Sequence, residues 1–279
     1  MNERKDVIKQ SIKYGHSTAP TSKASNYHFH DHYEIYLFLS GDTTIYINET
    51  CYNPKRGDLF VYNSSDIHKS INSTGKTHER YCIHFLPNLI SVYNTEQTNL
   101  LSCFHMENKI IHLANSDVEQ MITHVEETIA LQEQSGYGCD ILIINTLISL
   151  LVKINLLFQN QTRMPELKHH TIISPLLSYI SQHVAEELNL DLLASICSVE
   201  KSYLCKLFKN YTGSTIRQYI IIKRVALAKQ FLTQGQTIYD ACFNSGFNNY
   251  AHFARTFKKI VGVTAREYQH SDAITGRED

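Results

Sequence analysis

The 279-residue chain reads as an α+β protein with an N-terminal β-barrel, a helical hairpin, and an all-α C-terminal region holding two helix-turn-helix units. Three observations predict this. Short strand-like runs split by turn residues fill the first third of the chain. Helical periodicity takes over near Ser116. A fourteen-residue pattern near the C-terminus then recurs after 49 residues.

From about Tyr27 to Leu86 the runs are short. Tyr33, Ile35, Leu37 and Leu39 alternate with Glu34, Tyr36, Phe38 and Ser40 before a turn at Gly41-Asp42. The β-branched and aromatic run Thr43–Ile47 follows. Turn signals at Asn53-Pro54 and Arg56-Gly57-Asp58 then precede Leu59–Tyr62. Many short strands at such spacing indicate a sandwich or barrel.

Ser116 followed by Glu119 has the capping-box pattern, and Val118, Ile122, Val125 and Ile129 recur at helical spacing behind it. After Gly136-Tyr137-Gly138, a second helix carries Ile144, Leu147, Leu151, Ile154 and Phe158, with Ile143, Leu150 and Leu157 widening the stripe. The extra apolar face admits two readings, an intramolecular core or a dimer seam over Ser116–Asn160. Ile141–Phe158 approaches membrane-spanning length, but Asn145, Thr146, Ser149, Lys153 and Asn155 argue against a span.

Gln161–His170 is polar and contains Pro165, as a linker would. Ser174-Pro175 reads as a helix N-cap with proline at the first helical position. The expected divisions are therefore 1–112, a hairpin over 113–160, a linker over 161–171 and a C-terminal domain over 172–270.

Charge separates the same regions. Glu200–Tyr268 holds 11 Lys and Arg against 3 Asp and Glu, while the remainder holds 15 against 24. A net charge of −1 thus conceals a basic module suited to a polyanion. The seven cysteines (Cys51, Cys82, Cys103, Cys139, Cys197, Cys205, Cys242) never fall in a C-x-x-C pair. With the polar start Met1–Asp6, they predict reduced thiols in a cytoplasmic protein.

The repeat pairs Phe208 with Phe257, Lys209 with Lys258, Gly213 with Gly262, Thr215 with Thr264, Arg217 with Arg266 and Tyr219 with Tyr268, at one ungapped offset. In the first copy, Leu192, Leu193 and Ile196 form a short amphipathic helix. A turn at Cys197-Ser198-Val199 leads to a helix that buries Leu204, Leu207 and Phe208 and shows Lys201, Ser202, Cys205, Lys206 and Lys209. In the second copy, Ile238 and Ala241 support a turn at Ser245-Gly246-Phe247. Asn248 or Asn249 then caps a helix with Phe253 and Phe257 inside and Tyr250, His252, Arg255, Lys258 and Lys259 outside. Such helices fit a major groove, their first residues meeting base edges and their cations meeting phosphates.

Leu193-Ala194 through Phe208-Lys209, Arg224-x-x-x-Ala228, and Ser245-Gly246-Phe247…Phe253-x-Arg255-x-Phe257-Lys258-Lys259…Gly262-x-Thr264 resemble the AraC-type family of bacterial transcription regulators. The resemblance spans about Pro175–Tyr268. It implies two helix-turn-helix subdomains joined by a long helix over about Thr215–Leu232, entering successive major-groove segments on one face of DNA. Phosphate contacts would come from Lys201, Lys206, Lys209, Arg255, Lys258 and Lys259, with Ser202, Tyr203, Asn249, Tyr250 and His252 reaching bases or sugars. The sequence departs from the family pattern at Glu200, where serine is usual, at Ala265, where proline is usual, and at Cys242. The carboxylate suits a helix N-terminus but repels phosphate, so the first unit is expected to contact DNA less closely.

His28-Phe29-His30-Asp31-His32-Tyr33-Glu34-Ile35, Gly41, Gly57-Asp58-Leu59 and Ile67-His68 are similar to the cupin-like sensor domain common in that family. His30, His32 and His68 offer metal-ligand chemistry. A catalytic cupin, however, places its glutamate where Tyr36 and Leu37 stand, so the metal pattern is incomplete and no cofactor is expected. The alternatives are a metal-dependent cupin enzyme with a DNA-binding tail, a structural role for His30 and Glu34, and effector binding by His30, His32, Glu34, Tyr36 and His68. The resemblance favours the last, with carbohydrate as the default ligand. It further implies a dimeric activator without catalytic residues, partnered by double-stranded promoter DNA and RNA polymerase.

Overall fold

Pleated alternation becomes two antiparallel sheets in the computed structural model, which describes residues 11–20, 28, 32–48, 50–64, 66–72, 77–134, 136–160 and 171–275. The large sheet has the order β1 (Ile12–Pro20), β7 (Thr77–Phe85), β2 (Tyr33–Ser40), β5 (Asp58–Tyr62), β8 (Ile110–His112). The small sheet has the order β4 (Thr50–Tyr52), β3 (Thr43–Ile47), β6 (His68–Asn72). Register places Glu34 opposite His84 on one side and Tyr62 on the other, with a bulge between Phe38 and Ser40.

Strand β2 is buried on both faces up to Ser40. Tyr33, Ile35, Leu37 and Leu39 face the helices, whereas Tyr36 and Phe38 join Ile45, Ile47, Tyr52, Phe60, Tyr62 and Ile110 between the sheets. A strand between a helical layer and a second sheet has no solvent face, which explains its nearly continuous apolar run.

After α1 (Pro87–Ser91) and a 3₁₀ turn at Ser102–His105, helices α2 (Asn115–Glu133) and α3 (Cys139–Gln159) pack on the outer face of the large sheet. Val118, Met121 and Val125 meet Ile143, Leu147, Leu151 and Ile154 in one core. The opposite face of α3 leaves Ile141, Leu142, Val152 and Leu156 exposed. By length and composition alone α3 is apolar enough to cross a membrane, but one of its stripes lies on the sheet.

The capping-box expectation at Ser116 is corrected. Ala114 is the N-cap, in extended backbone without a side-chain bond, and Ser116 already lies inside α2. Leu113 donates its N–H to the Gly57 carbonyl at 2.9 Å, so sheet pairing decides where the chain turns into helix.

The C-terminal half comprises α4 (Ile173–Gln182), α5 (Leu190–Ile196), α6 (Lys201–Thr212), α7 (Ile216–Thr233), α8 (Ile238–Asn244), α9 (Tyr250–Val261) and α10 (Ala265–Thr275). Here too a cap is corrected. Helix α4 begins at Ile173 with Ile172 as N-cap, so Ser174 lies inside the helix and Pro175 sits in the first turn. Proline is tolerated there because first-turn N–H groups have no intrahelical acceptor. The expected linker, 161–171, lies outside the described residues except for Thr171.

The small sheet is a wall between two environments. Ile45, Ile47 and Tyr52 point between the sheets, while Tyr46 and Cys51 point the other way, into the C-terminal core. Tyr46 meets Tyr211 edge-on at 5.3 Å, and the Tyr219 hydroxyl donates to the Asn48 carbonyl at 3.2 Å. Lys69, itself buried, packs over the Tyr46 ring and beside Gly213, and burial lowers its pKa to about 8. Alternation along each strand thus connects the space between the sheets to the end of α6 and the start of α7.

Candidate nucleic-acid interface and sensor interior

Each of the two C-terminal helix pairs, α5–α6 and α8–α9, is started by local side-chain chemistry. Asn189 accepts from Leu192 N–H at 2.9 Å, Thr237 from Asp240 N–H at 3.1 Å, and Asn249 from His252 N–H at 2.8 Å. Thr215 and Gln218 form a reciprocal capping box at the start of α7. Both α6 and α9 stop at glycines in the left-handed region, Gly213 and Gly262. The inter-helix turn needs a left-handed residue in both copies, supplied by Ser198 (φ 53°) and Gly246 (φ 89°). At Gly246 any Cβ would lie 2.8 Å from the Val184 carbonyl oxygen, so only glycine fits. Arg224 in α7 holds that same strip, donating to the carbonyls of Val184 (2.9 Å) and Glu186 (2.7 Å).

In α6, Leu204 and Phe208 are buried, while Lys201, Ser202, Tyr203, Lys206 and Lys209 are exposed and Cys205 and Leu207 are half-buried. In α9, Phe253 and Phe257 are buried, and Tyr250, Arg255, Lys258 and Lys259 are exposed. His252 is half-buried, its ring 5.8 Å from that of Phe247. The two sets of polar residues therefore form two surfaces on a common core. One expectation fails. Leu192 and Ile196 are exposed, and α5 buries Leu193 and Ala194 instead, because a seven-residue helix turns only a narrow stripe inward.

Sequence reasoning missed an ion pair. Lys201 Nζ lies 2.6 Å from Asp191 Oδ1, joining α5 to α6 across the exposed face. Of the expected readers, Asn249 spends its side-chain oxygen on its cap, and Arg255 Nε donates to the Ala251 carbonyl at 3.2 Å.

In the sensor interior, Glu34, Tyr36 and His68 come together, His32 is half-buried at the start of β2, and His30 lies outside the described residues. Glu34 Oε2 is 3.3 Å from His68 Nε2 and 3.4 Å from His84 Nε2. His68 Nδ1 bonds the Asp66 carbonyl at 3.0 Å, and its ring stacks on Tyr62 at 4.2 Å. Deeper in, His78 joins Tyr36 Oη at 2.6 Å and Arg80 Nη1 at 3.1 Å. Arginine only donates, so Nδ1 accepts and Nε2–H donates to the tyrosine oxygen. Burial, then the Arg80 charge, lowers the His78 pKa to about 4 and keeps the ring neutral. His84, His78 and Arg80 gave no signal in the sequence, since only pairing with β2 brings β7 to this place. No cluster of three His, Cys, Asp or Glu among the described residues is arranged to hold a metal ion.

Comparison with known proteins supplies the family. Residues 193–271 match the helix-turn-helix domain model, and residues 13–151 match the AraC-like ligand binding domain. The chain is similar to the regulatory protein SoxS of Escherichia coli, 30% identical over 105 residues that cover 37% of this chain and 98% of SoxS. It is also similar to the probable transcriptional regulator LumQ of Photobacterium leiognathi, 25% identical over 250 residues, 88% of this chain and 93% of LumQ. The crystal structure of ToxT from Vibrio cholerae aligns over 93% of this chain and 98% of its own, at 14% identity and TM-score 0.38. A C-terminal helix-turn-helix domain behind a ligand-binding β domain places this chain in the AraC family of DNA-binding transcription regulators.

Proposed function

We propose that this chain is an effector-responsive transcription activator whose two helix pairs read successive major-groove segments. The observation that carries this reading is the repeated pair of polar, cationic helix faces on one buried core. Lys206, Lys209, Arg255, Lys258 and Lys259 neutralise phosphates, and Ser202, Tyr203, Tyr250 and His252 meet bases or sugars. Lys201 contributes less, because Asp191 already pairs with it. The small polar effector, carbohydrate by default, engages Glu34, Tyr36 and His68 at the sensor interior. Its presence is transmitted through the small sheet, whose other face holds the start of α7. The exposed face of α3 joins two copies, as the four apolar side chains there favour, and recruitment of RNA polymerase follows DNA binding.

Genome-wide immunoprecipitation of the tagged protein tests the regulator reading, with Arg255→Ala as control. Discrete promoter-proximal peaks that the variant loses are expected. Peaks of equal height in the variant would remove α9 from the interface. Sedimentation of wild type against Leu156→Glu tests the dimer, the expected result being a dimer converted to a monomer.

A further inference from the structure

The start of the first reading helix carries a carboxylate that makes no capping bond. Glu200 is the N-cap of α6, in extended backbone (φ −67°, ψ 145°), yet its side chain accepts no capping bond. The neighbouring caps behave otherwise, since Asn189, Thr215, Thr237 and Asn249 all accept a backbone N–H. Glu200 is exposed, and among the described residues its carboxylate has no ion pair or hydrogen bond. The adjacent cation does not neutralise it, because Lys201 Nζ is drawn 2.6 Å from Asp191 Oδ1. At the same place in the second unit stands Asn249, whose oxygen is committed to His252 N–H.

A full negative charge at the front of a groove-reading helix is costly near phosphates. Its favourable place at the helix N-terminus aside, it gains from DNA only opposite a donor. In the major groove only cytosine N4 and adenine N6 amino groups are donors; adenine sets the acceptor N7 beside its donor, and guanine O6 and N7 and thymine O4 are acceptors that a carboxylate repels, so an acceptor-only side chain fits cytosine best. The N-terminal residues of such a helix are the ones that reach base edges. We infer that Glu200 is a specificity-determining residue of the first unit, accepting a hydrogen bond from a cytosine N4 amino group in that unit's half-site. Asp191 acts as its positioning partner by holding Lys201 aside. The inference rests on the DNA-binding reading and adds a base to it.

The two effects of the carboxylate have opposite signs, which makes the role testable. Removing it weakens the choice of base but lessens phosphate repulsion. The experiment is selection from a random duplex library with full-length wild type, Glu200→Ala and Arg255→Ala in parallel, followed by affinity for a non-specific duplex. Wild type is expected to enrich a motif with cytosine fixed at one column of one half. Glu200→Ala is expected to lose that column alone, discrimination there falling about tenfold or more, while binding to non-specific DNA tightens. Glu200→Gln, which offers both a donor and an acceptor, shifts the column toward adenine. Identical motifs for wild type and Glu200→Ala overturn the assignment, even if non-specific binding tightens. So does uniform loss of the whole motif, which denotes a structural role. Enrichment of no motif by any of the proteins overturns the DNA-binding reading as well, and so is distinguishable from failure of Glu200 alone.

Discussion

The two helix pairs of the C-terminal half are built on one plan and used differently. Both bury a phenylalanine at the same position, Phe208 and Phe257, and both end the second helix at a left-handed glycine. The second pair has a satisfied cap at Asn249 and a cluster of Arg255, Lys258 and Lys259. The first has a carboxylate at Glu200 that makes no capping bond and a lysine tied to Asp191, and its far end is gripped by the N-terminal domain through Tyr46, Asn48 and Lys69. If the proposed DNA-binding reading holds, the second unit would supply the larger share of salt-dependent affinity, and the first a contact coupled to the N-terminal domain.

The largest effect that can break this comparison is in the shared core. Phe257→Ala should cost about 3–5 kcal/mol, as a fully buried ring leaves a cavity. Phe208→Ala should cost as much, and should also loosen the Tyr211 and Tyr219 contacts to the sensor. Thermal melts followed separately in the two domains would show it. Equal effects of both variants on the sensor transition would contradict the asymmetry.

Acid should act next, through the sensor. The His78 pKa falls from 6.5 unfolded to about 4 folded, so between those values the unfolded chain binds more protons. Stability is therefore complete above about pH 6.5 and declines as pH drops toward 4, by about 3 kcal/mol at most. His78→Asn should flatten that decline in a pH series of denaturant midpoints. A wild-type midpoint unchanged between pH 7 and pH 5 would contradict it.

The turn residues give a smaller and reciprocal test. Gly246→Ala should destabilise by about 1–3 kcal/mol, from the left-handed backbone and the 2.8 Å approach to Val184 O. Ser198→Gly, at the equivalent turn, should stabilise by roughly 0.5 kcal/mol or be neutral, because serine already carries the strain at φ 53°. Chemical denaturation of both variants checks the pair. A Gly246→Ala variant as stable as wild type would contradict the exclusion of a side chain at the second turn.

Much of the C-terminal site was legible in the sequence because it is local. Caps, helix spacing, glycine stops and the 49-residue repeat act within a dozen residues, and the faces of α6 and α9 follow from them. Where a cap was assigned without regard to tertiary pairing, as at Ser116 and Ser174, it failed. The exposure of Leu192 and Ile196 was equally hidden, since a short helix has several stripes and only its neighbours select one.

By itself, then, the sequence determined that two like units sit in a basic C-terminal module and that strands precede helices, because periodicity and cap chemistry are short-range. Tertiary structure alone decided that His84 faces Glu34, that burial and Arg80 hold His78 neutral, that Lys201 answers Asp191, and that Tyr46 and Ile45 look into different domains. Those outcomes depend on register and on which face of a sheet meets which layer. A sheet buried on both faces has no polar side to reveal its orientation in advance.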